Sequence, residues 1–374
     1  VNKKGFIAFV LVLFVITAVF IAYLNSNTGS FDKLSLKNFL DFLTDEKLSL
    51  IEDDIKKEYD KNEHAGFIIF DNFLYKTGLN GTEIISRKGE IVKVLDTSQY
   101  EPCLAVNNSK VFIGDRRGTE IIVVENKEII KRIELPGFLY NMVFNEQGYG
   151  IITGMDRKEV SFAYIIDNKG DIMYKHFQTK FYAINGSLSN DNSELILNRL
   201  DTTGTSIKTE LKFFNKDGME TGAITVDKDF IYPKLSHLGK NSFYIAGIEE
   251  IVFYKNREVL WEKEFKDIIN IITFQDKEIC LGYKENNSTY RVVILDMKGN
   301  IKYSTDFNKK IENILSYSGL LCINLGNEAV ILNNKLEEKD RINSSFGIKK
   351  ILFFNKLEVA LISDNHYILK RINR

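Results

Sequence analysis

The stretch YIIDNKGDIMYKHF, residues 164–177, sets two short runs of β-branched and aromatic residues on either side of the turn DNKGD at 167–171. Asp, Asn and Gly accept the left-handed backbone that a tight reversal needs, so the stretch predicts an antiparallel hairpin. The same phrase returns as EIISRKGEIVKVL (83–95), EIIVVENKEIIKRI (120–133), KFFNKDGMETGAI (212–224), VFYKNREVLWEKEF (252–265), VILDMKGNIKYSTDF (293–307) and AVILNNKLEEKDRI (329–342). Gly89 and Lys335 mark the first and last turns. The six intervals between them average about 41 residues, the period of four-stranded propeller blades.

Working outward, the residues before each hairpin repeat as well. AVNNSKVFIGDRRGTEIIVV (105–124) resembles IFDNFLYKTGLNGTEIIS (69–86), LSNDNSELILNRLDTTGTSIKTELKFF (188–214) and FQDKEICLGYKENNSTYRVVIL (274–295). Each unit therefore reads as strand A, turn, strand B, loop, strand C, turn, strand D. One such sheet cannot bury both of its faces, whereas a ring of them can, and a ring also limits exposed edges. The expected fold class is all-β, a β-propeller over 64–374. Seven units are complete, and the last, KKILFFNKLEVALISDNHYILKRI (349–372), holds strands A, B and C alone. A ring closed by a strand from the N-terminal segment leaves such a deficit, so the reading is eight blades, with seven as the alternative.

Residues 5–24, GFIAFVLVLFVITAVFIAYL, are almost wholly apolar, and no charge occurs between Lys4 and Asp32. A helix of roughly 20 residues matches a hydrocarbon layer of about 30 Å and satisfies its own backbone in lipid. The run exceeds a secretory h-region, and the following NSNTGS (25–30) offers no small-x-small cleavage site. Lys3 and Lys4 precede it, so the positive-inside bias makes 1–4 a cytoplasmic stub and 5–24 a single-pass signal anchor, with everything beyond outside the cytoplasm. Residues 25–63 read as a linker and helical neck: Leu36, Phe39, Leu40 and Leu43 follow a candidate N-cap at Ser35, and Leu48, Ile51, Ile55 and Tyr59 continue the stripe.

Composition narrows the chemistry. Lys+Arg 50 against Asp+Glu 51 gives no electrostatic reason to bind nucleic acid, and 44% hydrophobic with 12% aromatic residues excludes a disordered chain. Cys103, Cys280 and Cys322 are read as core thiols. His64, His176, His237 and His366 show no metal-ligand spacing, and no Walker loop, nucleophile elbow, zincin or EF-hand pattern occurs. No metal and no cofactor are implied, and no catalytic residue is assigned. One constellation stands out. The loops between strands B and C of units two, three and four carry Arg116 and Arg117, Asp156 and Arg157, and Arg199 and Asp201. Consecutive blades would bring these to one rim, where guanidinium forks suit an anionic ligand.

With phrases such as GYGIITGMDRKEVSFAYIIDNKGDIMYKHF (148–177) and the 188–214 segment in view, the chain resembles a bacterial family of single-pass membrane-anchored propellers of unassigned function from AT-rich Gram-positive genomes. It is also broadly similar to quinoprotein-like and WD40-like propellers. Quinoprotein-like blades often carry tryptophan docking motifs; here the one tryptophan is Trp261, in EVLWEKEF. The resemblance implies a location in the cell membrane and a propeller outside it. The functional expectation is a non-enzymatic scaffold for a protein or another cell-envelope or cell-wall component. The alternative is an extracytoplasmic enzyme or small-ligand binder whose site is assembled from several blades. Alkaline extraction of membranes checks the anchor: the full-length chain is expected in the pellet, and its release into the soluble fraction would remove the anchor.

Overall fold

Hairpin joins hairpin to give eight four-stranded antiparallel sheets in the computed structural model, which describes residues 51, 54–226, 228, 230–239, 241–275 and 277–372. Blades 1 to 7 span 66–95, 102–134, 137–178, 181–225, 234–264, 268–307 and 313–343, each with strands A to D in chain order. Blade 8 takes strands A to C from 350–371. Its fourth strand is Ile55–Glu58, from the other end of the chain, with Ile55 opposite Leu369 and Glu58 opposite His366. Eight blades are present and the seven-blade alternative falls.

The clasp strand corrects one expectation. Ile55 and Tyr59 do not continue a helical stripe, and the propeller begins at residue 55 rather than 64. Without a partner, strand C of blade 8 would leave a row of N–H and C=O groups unpaired, and that demand overrides local periodicity in a four-residue segment. Tyr59 N–H donates to the Asn365 carbonyl at 2.8 Å, its hydroxyl donates to the Ser363 carbonyl, and Lys370 holds Asp54 at 2.6 Å. A short 3-10 turn, Lys61–Glu63, then leads into blade 1. The apolar run 5–24 and the neck before residue 51 lie outside the described residues. Among those described, no helix is long and apolar enough to cross a membrane.

The core lies between blades rather than within them. Phe112, Ile121 and Val123 of blade 2 meet Leu139, Ile152 and Phe162 of blade 3, and Phe253 of blade 5 meets Leu281 and Val293 of blade 6. A middle strand covered on both faces must be apolar throughout, and Ser161–Ile166 is buried at every position, whereas the outer strand Ile172–Gln178 alternates. Strands A of successive blades lie side by side about the axis, and those of blades 8 and 1 complete the circle. Strands A of blades 5 and 6 approach each other least.

Two aromatic rings of outer strands rest on a turn glycine of the next blade. Trp261, in strand D of blade 5, lies against Gly299 in the turn of blade 6 and donates its Nε1–H to the Met297 carbonyl at 3.0 Å. A Cβ on Gly299 would come within 3.0 Å of the indole, and its φ of +80° already disfavours any side chain. Tyr174 of blade 3 occupies the same place against Gly218 of blade 4. Cys103, Cys280 and Cys322 are free and buried, and burial raises the thiol pKa of each.

A chain begun at residue 60 opens the edge of blade 8 and is expected to melt about 5–10 °C below one begun at residue 54; equal midpoints would show that closure rests elsewhere. Gly299→Ala is expected to cost about 1–3 kcal/mol by denaturant unfolding, from strained φ and displaced indole together.

Candidate functional site

Strand alternation gives the ring two unlike ends. The A–B and C–D turns share one end, and the B–C loops and the connections between blades share the other. At the turn end Asp167, Asn215, Asp296 and Asn333 each accept backbone N–H groups two and four residues on, so these side chains are spent on closing hairpins. The loop end is different. Leu79, Tyr100, Ile207, Phe230, Ile231 and Ile248 are exposed there in connecting segments, whereas at the turn end Met219 is the exposed large apolar residue of a connecting segment among those described, with Ile91 and Ile301 exposed at the first positions of their outer strands.

The charged loop residues reach the expected end but do not converge. Arg117 pairs with Glu101 at 2.5 Å and covers the Tyr100 ring at 4.4 Å, while Arg116 donates to the Tyr140 carbonyl. With His64, these groups line a hollow of about 330 Å³. Asp156 accepts the N–H groups of Lys158 and Val160 and so caps its own loop, and Arg157 is exposed beside it. Arg199 and Asp201 are a correction. They belong to strand Glu194–Asp201, which runs further than the sequence suggests. Arg199 is buried over Phe181, donating to Gln178 at 2.8 Å and paired with Glu210. Asp201 receives the Thr203 N–H and hydroxyl, which hold its carboxyl below the usual range. Three blades of loop charge are largely consumed by local structure.

A different feature dominates this end. The connection 226–233 between blades 4 and 5 is the longest in the ring, and its residues 228 and 230–233 form one wall of a cleft of about 1230 Å³ where blades 5 and 6 stand apart. Its sequence explains its shape. Tyr232 points inward, fully buried, and its hydroxyl donates to Glu250, which also pairs with Lys228. Asn198 Nδ2 donates to the Tyr232 carbonyl at 2.6 Å, and Thr209 Oγ1 donates to the Phe230 carbonyl at 3.2 Å. Burial, and then the Glu250 carboxylate, raise the Tyr232 phenol far above its ordinary value.

With Tyr232 fixed, Phe230 and Ile231 are turned outward at 52% and 45% exposure, and Ile248 faces the same cleft at 68%. The cleft is thus preformed and apolar, the character of a binding site for large side chains. Lys234 stands at its inner end, reachable by solvent yet walled by protein. That wall lowers its ammonium pKa, and no carboxylate pairs with it among the described residues. Charged-loop reasoning points away from this cleft. The apolar run FIYP (230–233), carrying one of three prolines in the chain, was the available signal, but four such residues read equally well as a strand.

One cluster has the composition of a hydrolytic triad. Ser187 Oγ lies 2.8 Å from His237 Nδ1, and Glu194 lies 3.7 Å from His237 Nε2. Ser187 Oγ also accepts the His237 backbone N–H, Glu194 is held by Arg257 at 2.7 Å, and the set lies between blades 4 and 5 at the turn end, with Ser187 buried and His237 and Glu194 half-buried. It ties two blades together. Among the described residues no group of three or more His, Cys, Asp or Glu is placed to hold a metal ion.

The ring is similar to Sqt1 from Saccharomyces cerevisiae, at 9% identity and TM-score 0.65 over 86% of this chain and 98% of that one. It is similar also to BamB from Moraxella catarrhalis, at 11% and 0.56 over 85% and 98%. Chaetomium thermophilum Sqt1, solved bound to the N-terminus of the ribosomal protein L10, matches at 8% and 0.59 over 84% and 98%. Identities this low speak for the fold alone. No curated protein matches the chain. A family model does, over residues 49–369, and the chain belongs to that family, DUF5711, a family of unknown function.

Proposed function

We propose that this chain is a membrane-tethered, extracytoplasmic scaffold that docks a protein of the cell envelope at the loop end of its ring, chiefly in the cleft between blades 5 and 6. One observation carries the reading: exposed large apolar residues in connecting segments gather at one end, and three of them, Phe230, Ile231 and Ile248, line a single preformed cleft. Exposed apolar surface of this kind is costly in water and is characteristic of interaction sites. The apolar run 5–24 behind Lys3 and Lys4 supports the tether. The chain enters the ring at Ile55, at the turn end, so the cleft opens on the end opposite to chain entry. Sqt1, a neighbour in fold, is itself solved with a protein segment bound.

Cross-linking in intact cells from a photoreactive residue at position 248 tests the reading. A protein adduct is expected, and the double variant Phe230→Ser, Ile231→Asp should lower its yield about tenfold with an unchanged melting midpoint, because both side chains face solvent. An adduct of equal yield from the variant would overturn docking in the cleft.

A further inference from the structure

The eight strands A, which line the axis, carry no Asp or Glu, although the chain holds 51 such residues. Two of them open on a lysine at the loop end: Lys234 in blade 5 and Lys350 in blade 8. Lys350 Nζ donates to the Phe67 carbonyl at 2.7 Å, and Arg116, reaching in from blade 2, donates to the Tyr140 carbonyl. Backbone carbonyls satisfy these cations without neutralising them. The strands that line the axis thus bring only cations to its loop end, Lys234 from blade 5 and Lys350 from blade 8, with Arg116 reaching in from blade 2; the carboxylates of that end stand outside the strands, Glu101 paired with Arg117, Glu312 paired with Lys310, and Asp267 exposed in the connection before blade 6.

The cleft joins this end of the axis at Lys234. Its inner end is built from Lys234 and from Ile268, Ile269 and Asn270 of blade 6. Its carboxylates come from elsewhere: Glu249 lies in the B–C loop and Glu264 at the end of strand D, both away from the axis, and Glu250 is committed to Tyr232 and Lys228. Lys266, exposed, adds a further cation on the blade 6 side. Polarity thus runs along the cleft, apolar over Phe230, Ile231 and Ile248, and cationic toward the axis. Both side chains are reachable by solvent, and the protein packed around them lowers the pKa of Lys234 and Lys350, as it does for ammonium groups that lack a counter-ion. A charge held in a walled cleft acts more strongly on an incoming ion than one on an open surface.

We infer that the segment docking in this cleft is acidic and apolar, a peptide stretch that seats a bulky apolar side chain against Phe230, Ile231 and Ile248 and directs a neighbouring Asp or Glu carboxylate to the Lys234 ammonium. The inference rests on the docking reading above and names the chemistry of its partner. A pure polyanion leaves the apolar half of the cleft unfilled, and a neutral apolar peptide leaves Lys234 without a counter-ion.

A display library of short random peptides, panned against the full-length protein in detergent micelles, tests it. Peptides that combine Asp or Glu with Phe, Leu, Ile or Trp are expected to be enriched. Binding of the recovered peptides should fall about tenfold in Lys234→Met, a variant of an accessible side chain that keeps the stem, and their affinity should lose part of its salt dependence. Ile248→Asp should abolish their binding. Enrichment of neutral or basic peptides that bind Lys234→Met as well as the parent, yet fail on Ile248→Asp, would overturn the charge inference and leave docking standing. Inorganic polyphosphate that competes in the parent but not in Lys234→Met, with no apolar preference among the recovered peptides, would also overturn it. No enrichment over the Ile248→Asp protein would overturn both readings.

Discussion

Everything in this ring depends on four residues that do not follow it but precede it. Ile55–Glu58 completes blade 8 by pairing with His366–Arg371, and only then does the last sheet have four strands like the seven before it. The residues around the seam are disposed accordingly. Arg87 of blade 1 reaches the fully buried Glu358 of blade 8 at 2.8 Å, and Lys350 of blade 8 caps a carbonyl of blade 1. Severing one partner of such a buried pair leaves an uncompensated charge, so the seam is held by more than strand pairing. Closure also covers the two end faces that an open stack of eight sheets would expose, and leaves only the short outer edge of each blade.

Labour is divided between the two ends. The turn end spends its polar side chains on its own hairpins and on locks between blades, such as the Asn145 amide on the Ser189 carbonyl at 3.0 Å and the Arg257–Glu194 pair. Aromatic rings set on turn glycines, Trp261 over Gly299 and Tyr174 over Gly218, fix the angle between blades at their outer margin. With geometry settled there, the loop end is free to differ from blade to blade. The departure is greatest at the junction of blades 4, 5 and 6, where a long connection anchored by one buried tyrosine turns two apolar residues outward.

Much of this was legible in the chain itself. Asx and Gly at fixed offsets mark the turns because few residues accept left-handed backbone, so the hairpin count and the missing strand of the last blade could be read directly. The strand that supplies the deficit could not. IKKE has one apolar residue, no alternation of its own and three exposed positions, and its structure is imposed by the edge it completes. The charged loops were placed at the correct end by strand alternation. Arg199 was misplaced because a loop boundary off by two residues converts an exposed guanidinium into a buried one. The cleft stayed hidden for a third reason. Its residues are apolar, and an apolar run reads as core until topology shows which side chains have been turned out.

The clasp is also a load path. Any tension transmitted along the polypeptide toward residue 55 arrives at the outermost strand of blade 8, on a ladder four residues long, before it reaches any other part of the ring. Hydrogen bonds pulled along the strand axis yield together, whereas those peeled from one end yield singly, so the direction of pull decides whether this short strand behaves as a bolt or as a zip. The segment that latches the ring is thus also the one through which any pull from the preceding residues must pass, and the ring withstands that pull only as firmly as the segment holds its own last blade.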